Sequence, residues 1–115
     1  MDSATNYVNL SFLENFTKGD TEKRNQYIRM YLKTAPQLFS DLKTLCQSEQ
    51  WDELYVKAHS LKPQVLYMGI SNLSGLLIKI EELAKQKGNK NELATLVQQA
   101  VNFNDQAMTE LNKYI

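Results

Sequence analysis

The chain has 115 residues, enough for one domain built around a single hydrophobic core. Thirteen basic and thirteen acidic residues cancel, with no run of like charges, which removes the basic stripe that nucleic-acid binding normally shows. One cysteine excludes an internal disulfide, one histidine excludes a zinc cluster of cysteines and histidines, and no apolar stretch approaches the ~18 residues of a membrane span. The polar start Met1-Asp2-Ser3-Ala4-Thr5-Asn6 lacks signal-peptide character, so a soluble cytoplasmic protein is expected.

Helical spacing dominates over alternation along the whole chain. Residues 1–8 are expected to form a loose arm, followed by a short helix from about Ser11 to Thr17 that stops at Lys18-Gly19. Asp20 is placed to cap a helix running to about Lys33, with Tyr27, Ile28, Tyr31 and Leu32 on its apolar side. Pro36 then suits the first turn of a further helix carrying Leu38, Phe39, Leu42, Leu45 and Cys46, the two forming one bent column. Cys46 fits a small buried hydrophobe there. The next helix spans about Gln50 to Met68 and ends at Gly69, after which Ser71 can cap a helix bearing Leu73, Leu76, Leu77, Ile80, Leu83 and Ala84. Beyond the break at Lys87-Gly88-Asn89, a last helix from about Asn91 to Tyr114 repeats Leu93, Leu96, Val97, Ala100, Phe103, Asn104, Ala107 and Leu111. Short connections between such columns predict an all-α fold: an antiparallel up-and-down four-helix bundle with a short N-terminal helical cap, one domain over 1–115.

The helix that carries the lone histidine is unusual. Trp51, Leu54, Ala58, Leu61, Val65 and Met68 recur at alternating spacings of three and four and form its core stripe. At about 100° per residue His59 lies roughly 130° from the centre of that stripe, so it faces outward. A lone outward histidine is ordinarily just a solvated residue. Here, however, Tyr55, Val56, Pro63, Leu66 and Tyr67 share the outer side, where lysines and glutamates would be expected. Apolar surface grouped round one reactive polar group suits a transient docking site. The alternative for Val56 and Tyr67 is that they pack beneath the N-terminal segment, which is apolar at Leu10, Phe12, Leu13 and Phe16.

Ala58-His59-Ser60-Leu61-Lys62, with Gly69 ten residues after the histidine, resembles the signature of histidine-containing phosphotransfer (HPt) domains. Trp51 upstream and the segment Ile80-Glu81 with Leu83-Ala84 agree with that family's helix order, and the resemblance runs from about Tyr7 to Ile115. It implies that His59 accepts a phosphoryl group from a receiver-domain aspartyl phosphate and passes it to another receiver. On the same footing Lys62 offsets the phosphoryl charge, Gly69 permits the turn after the active helix, and the outer apolar residues dock the receiver. The partners implied are response-regulator receiver domains and a hybrid histidine kinase, with no nucleic acid and no membrane insertion, the chain itself being a monomer. No cofactor or metal is expected on this chain, Mg being expected on the partner receiver.

One position departs from the pattern. Pro63 stands where most members carry glycine, and a mid-helix proline removes the hydrogen bond to the carbonyl of His59, so a kink is expected. That departure keeps a second reading open: an adaptor that binds a receiver or kinase without carrying phosphate. An ordinary enzyme is a poorer fit. The sequence offers no evident acid or base partner for His59 and no phosphate-cradling glycine loop, so the metal and carboxylates of phosphoryl transfer would have to come from the partner.

Overall fold

The computed structural model describes residues 7–115. Its helices are α1 (Ser11–Phe16), α2 (Thr21–Gln47), α3 (Trp51–Tyr67), α4 (Ser71–Lys85) and α5 (Lys90–Leu111), closed by a 3-10 turn over Asn112–Tyr114. No strand occurs among the described residues, and none of their helices is long and apolar enough to cross a membrane. The four long helices close a ring, α2 on α3, α3 on α4, α4 on α5 and α5 on α2, with connections of only a few residues. This is the antiparallel four-helix bundle expected from the sequence, with α1 as its cap.

Helix starts are set by local chemistry at two places. The Asp20 carboxylate accepts the Lys23 N–H at 3.0 Å ahead of α2, and the Asn89 side chain accepts that of Glu92 at 3.0 Å ahead of α5. At α4 the expected capping role of Ser71 does not materialise. Ile70 occupies the cap position with no side-chain hydrogen bond, and Ser71 is the first helical residue. The expected interruption between Lys33 and Pro36 is also absent. α2 continues through Pro36 as one 27-residue helix, about 40 Å long at 1.5 Å per residue. The reason lies in its buried face: Ile28, Tyr31, Ala35, Phe39, Leu42 and Cys46 keep unbroken helical spacing across the proline, which itself is exposed. Packing of that stripe outweighs one lost backbone hydrogen bond.

The core stripe of α3 is as the spacing predicts. Leu54, Ala58, Leu61, Val65 and Met68 are buried and Trp51 is half-buried. α3 also runs through Pro63 as a single helix, with that residue on its exposed side. α5 contributes one polar residue to the interior, Asn104, whose Oδ1 accepts the hydroxyl of buried Tyr31 at 2.5 Å. That bond ties α2 to α5 and satisfies a group that would be costly to leave unpaired.

Tyr7 and Val8, expected in a loose arm, are held; the remainder of that arm, residues 1–6, lies outside the described residues. The Tyr7 N–H donates to Glu110 Oε1 at 2.6 Å, its ring meets Phe103 edge-on at 5.1 Å, and Val8 is buried. The Asn9 N–H then donates to the Gly69 carbonyl at 3.0 Å, so the segment crosses the bundle end directly over the turn that follows α3. At the same end Arg24 pairs with Glu14 at 3.3 Å and lies over the Tyr114 ring at 5.3 Å, joining α1, α2 and the C-terminus.

Gly69 has a φ of +70°, and a Cβ there would stand 1.6 Å from the Asn9 carbonyl oxygen. Gly75, inside α4, has open space around it. Gly69→Ala is therefore expected to destabilise the fold by more than about 1 kcal/mol, whereas Gly75→Ala should stabilise it by about 0.5–1 kcal/mol. Urea denaturation of the two variants checks this, and equal midpoints would contradict it.

Candidate functional site

The site lies midway along α3, where it packs on α4. The side chain of His59 is 63% exposed, and its Nδ1 lies 2.5 Å from Oε2 of Glu81, a residue of α4. The other oxygen of the same carboxylate accepts the Lys62 ammonium at 2.7 Å. The Glu81 side chain is only 10% exposed, so it reaches these two groups from the helix interface. Residues three apart on a helix share a face. The His-x-x-Lys spacing thus aims both side chains at one carboxylate, which the spacing of α4 delivers from the opposite helix.

The electrostatics follow from that bridge. Burial alone would push the Glu81 carboxyl up, but the hydrogen bonds from Lys62 and His59, and the charge they bring, outweigh it and hold the group below its ordinary value. An ionised carboxylate only accepts hydrogen bonds, so the His59 nitrogen facing it carries the proton. In a neutral imidazole this leaves the lone pair on Nε2, the nitrogen away from Glu81. The arrangement presents a nucleophilic nitrogen outward on a ring whose other nitrogen is tied down. It corrects the expectation that His59 lacks an acidic partner.

The outer apolar residues form a surface beside this ring. Val56, Pro63, Leu66 and Tyr67 are exposed, while Tyr55 is half-buried with its ring stacked on the imidazole. The described residues of the N-terminal segment leave Val56 exposed. At Tyr67 it adds to the surface: Phe12 and Phe16 lie nearly parallel to that ring at 5.4 and 6.3 Å, and all three stay about half-exposed. Gly69 sits at the end of α3 as expected, and the tight approach of Asn9 gives it a second reason to be glycine.

Glu81 is the functional residue that reading the sequence missed. Its signal was available in the α4 pattern. Glu81 stands four residues after Leu77 and three before Ala84, on the buried stripe, where an acid needs a partner. Phe12 and Phe16 carried a weaker signal, being apolar residues one turn apart on a short exposed helix.

The model of the Hpt domain family matches residues 26–113, from within α2 into the closing 3-10 turn. The chain belongs to the Hpt domain family. No significant match was found among curated proteins or among solved structures. Hpt domains act in histidine phosphotransfer within phosphorelays, and they work with receiver domains and kinases. Of the four bundle helices, α3, α4 and α5 fall wholly inside the match, whereas α1 with its two phenylalanines lies outside it.

The lowered Glu81 carboxyl links the site to stability. A group whose pKa falls on folding contributes fully above its unfolded value, here 4.5, and that contribution drains away as the pH drops through the folded value. Wild type should therefore exceed Glu81→Gln in stability at neutral pH, with the gap closing in acid. Urea midpoints of both proteins across that range measure it, and a gap that is constant with pH would rule it out.

Proposed function

We propose that Nε2 of His59 is the phosphoryl acceptor of this Hpt domain, and that the observation carrying the proposal is the capture of Nδ1 by Glu81 on a ring that is otherwise open to solvent. The donor is an aspartyl phosphate on a receiver domain. The Nε2 lone pair forms a bond to phosphorus as the bond from phosphorus to the aspartyl oxygen breaks, and the aspartate leaves as a carboxylate. The imidazole becomes cationic while its Nδ1 proton remains directed at Glu81, whose negative charge offsets the developing positive one. Return of the group to a second receiver is the reverse of these events.

Lys62 fits a role beside the transferred group. Its ammonium lies one turn from His59 and is held at the site by Glu81, so it can offset part of the charge that phosphorylation adds. This chain contributes the nucleophile and its orientation, while Mg and the acidic residues that hold it belong to the receiver, in keeping with the general needs of phosphoryl transfer. Val56, Pro63, Leu66 and Tyr67 form the receiver-docking surface together with the exposed edge of Tyr55, and the chain acts as a monomer that visits donor and acceptor in turn. An adaptor would have no use for a tethered imidazole tautomer, which favours the carrier.

Incubation with a phosphorylated receiver should give acid-labile, base-stable label on the wild type and none on His59→Gln, while binding of the receiver survives the substitution. Label persisting on His59→Gln would refute the assignment. A charge placed in the surface, as in Val56→Glu, should raise the half-saturating receiver concentration by roughly tenfold with the helical fold unchanged. An unaltered value would remove Val56 from the docking surface.

A further inference from the structure

We propose that Tyr55 is a positioning residue for His59, a role that rests on the carrier assignment and goes beyond a share in docking. Tyr55 lies one turn before His59 on α3, and the two rings are close to parallel, with centroids 6.1 Å apart and an interplanar angle of 15°. That geometry is an offset stack within the range where aromatic rings attract. Unlike Val56, Leu66 and Tyr67, Tyr55 is half-buried and packs against the hydrophobic core. A ring anchored in the core is a fixed wall, whereas an exposed one is available chiefly for contact with a visitor.

The imidazole has two torsions to fix. The bond from Nδ1 to Glu81 holds one edge of the ring, but rotation about that single contact can still swing Nε2 through an arc. The near-parallel Tyr55 ring, set beside the imidazole with a large offset, restricts that swing on its own side. With the Glu81 bond and the Tyr55 ring both acting on it, Nε2 keeps a narrower range of outward directions, and a partner's phosphorus meets a ring with less freedom left to freeze. Transfer rates are sensitive to misplacement of this kind, because the attacking lone pair must be aligned with the bond that breaks. The hydroxyl of Tyr55 plays no part in this argument, so phenylalanine should serve equally well.

His59 is the only histidine in the chain, and its ring protons therefore give a single set of resonances. In proton NMR of the unphosphorylated protein, Tyr55→Leu should shift those lines by removing the ring current and loosening the ring, and Tyr55→Phe should leave them near their wild-type positions. In single-turnover transfer from a phosphorylated receiver, Tyr55→Leu should lower the limiting rate, read at saturating receiver, by on the order of tenfold, over and above any rise in the half-saturating concentration from its share in docking. Tyr55→Phe should restore the rate. A raised half-saturating concentration with an intact limiting rate would make Tyr55 a docking contact and overturn the proposal, as would histidine lines that ignore the leucine substitution. Wild type that takes no label from any receiver would instead sink the carrier assignment, and the NMR comparison would still decide whether the stack orders the ring.

Discussion

A single carboxylate, reaching out from between two helices, organises the functional part of this molecule. Glu81 stands on the buried stripe of α4 and has one oxygen for the imidazole of His59 and one for the ammonium of Lys62. A buried acid without partners would be a large penalty, whereas an acid bonded to two donors from the facing helix becomes a fixed point. The register between α3 and α4 therefore matters to chemistry as well as to packing. A slip of one residue would leave Glu81 facing the wrong side chains and the imidazole free to choose either tautomer.

The rest of the bundle serves to keep that register. Leu54, Ala58, Leu61 and Val65 bury one side of α3, and the Tyr31–Asn104 bond fixes α2 against α5 across the core. At the far end of α3 the left-handed turn at Gly69 is pinned by the Asn9 amide. A reactive group on such a scaffold is oriented before any partner arrives, so little ordering cost is left for the encounter.

The fold was largely legible in the residue pattern because helical periodicity reports burial directly, and the buried residues of α3, α4 and α5 follow that periodicity. What misled were the local punctuation marks. Pro36 reads as a helix start, yet the stripe on either side of it stays in phase and the helix runs on; Ser71 reads as a cap, yet the helix begins one residue too early for it. In the site, His59 and Lys62 were visible as a pair on one helix, since spacing along a helix is a local property. Glu81 is 22 positions from His59, and its pairing depends on how α3 and α4 are set against each other, which no spacing within one helix can encode. Tyr7 was misjudged for the same reason: its partners Glu110 and Phe103 lie at the other end of the chain.

The bond between Lys62 and Glu81 has a bearing on how firmly such a domain would hold its cargo. Before any transfer the ammonium is already balanced by the carboxylate, so the locality is close to electroneutral. An incoming phosphoryl group adds about −1.5 to −2 charges to ground where the Lys62 ammonium is shared with Glu81 and so offsets only part of them. The loaded state is thus left short of compensation, and a site built this way would part with its burden readily. For an intermediary that must take from one protein and give to the next, weak retention is an advantage.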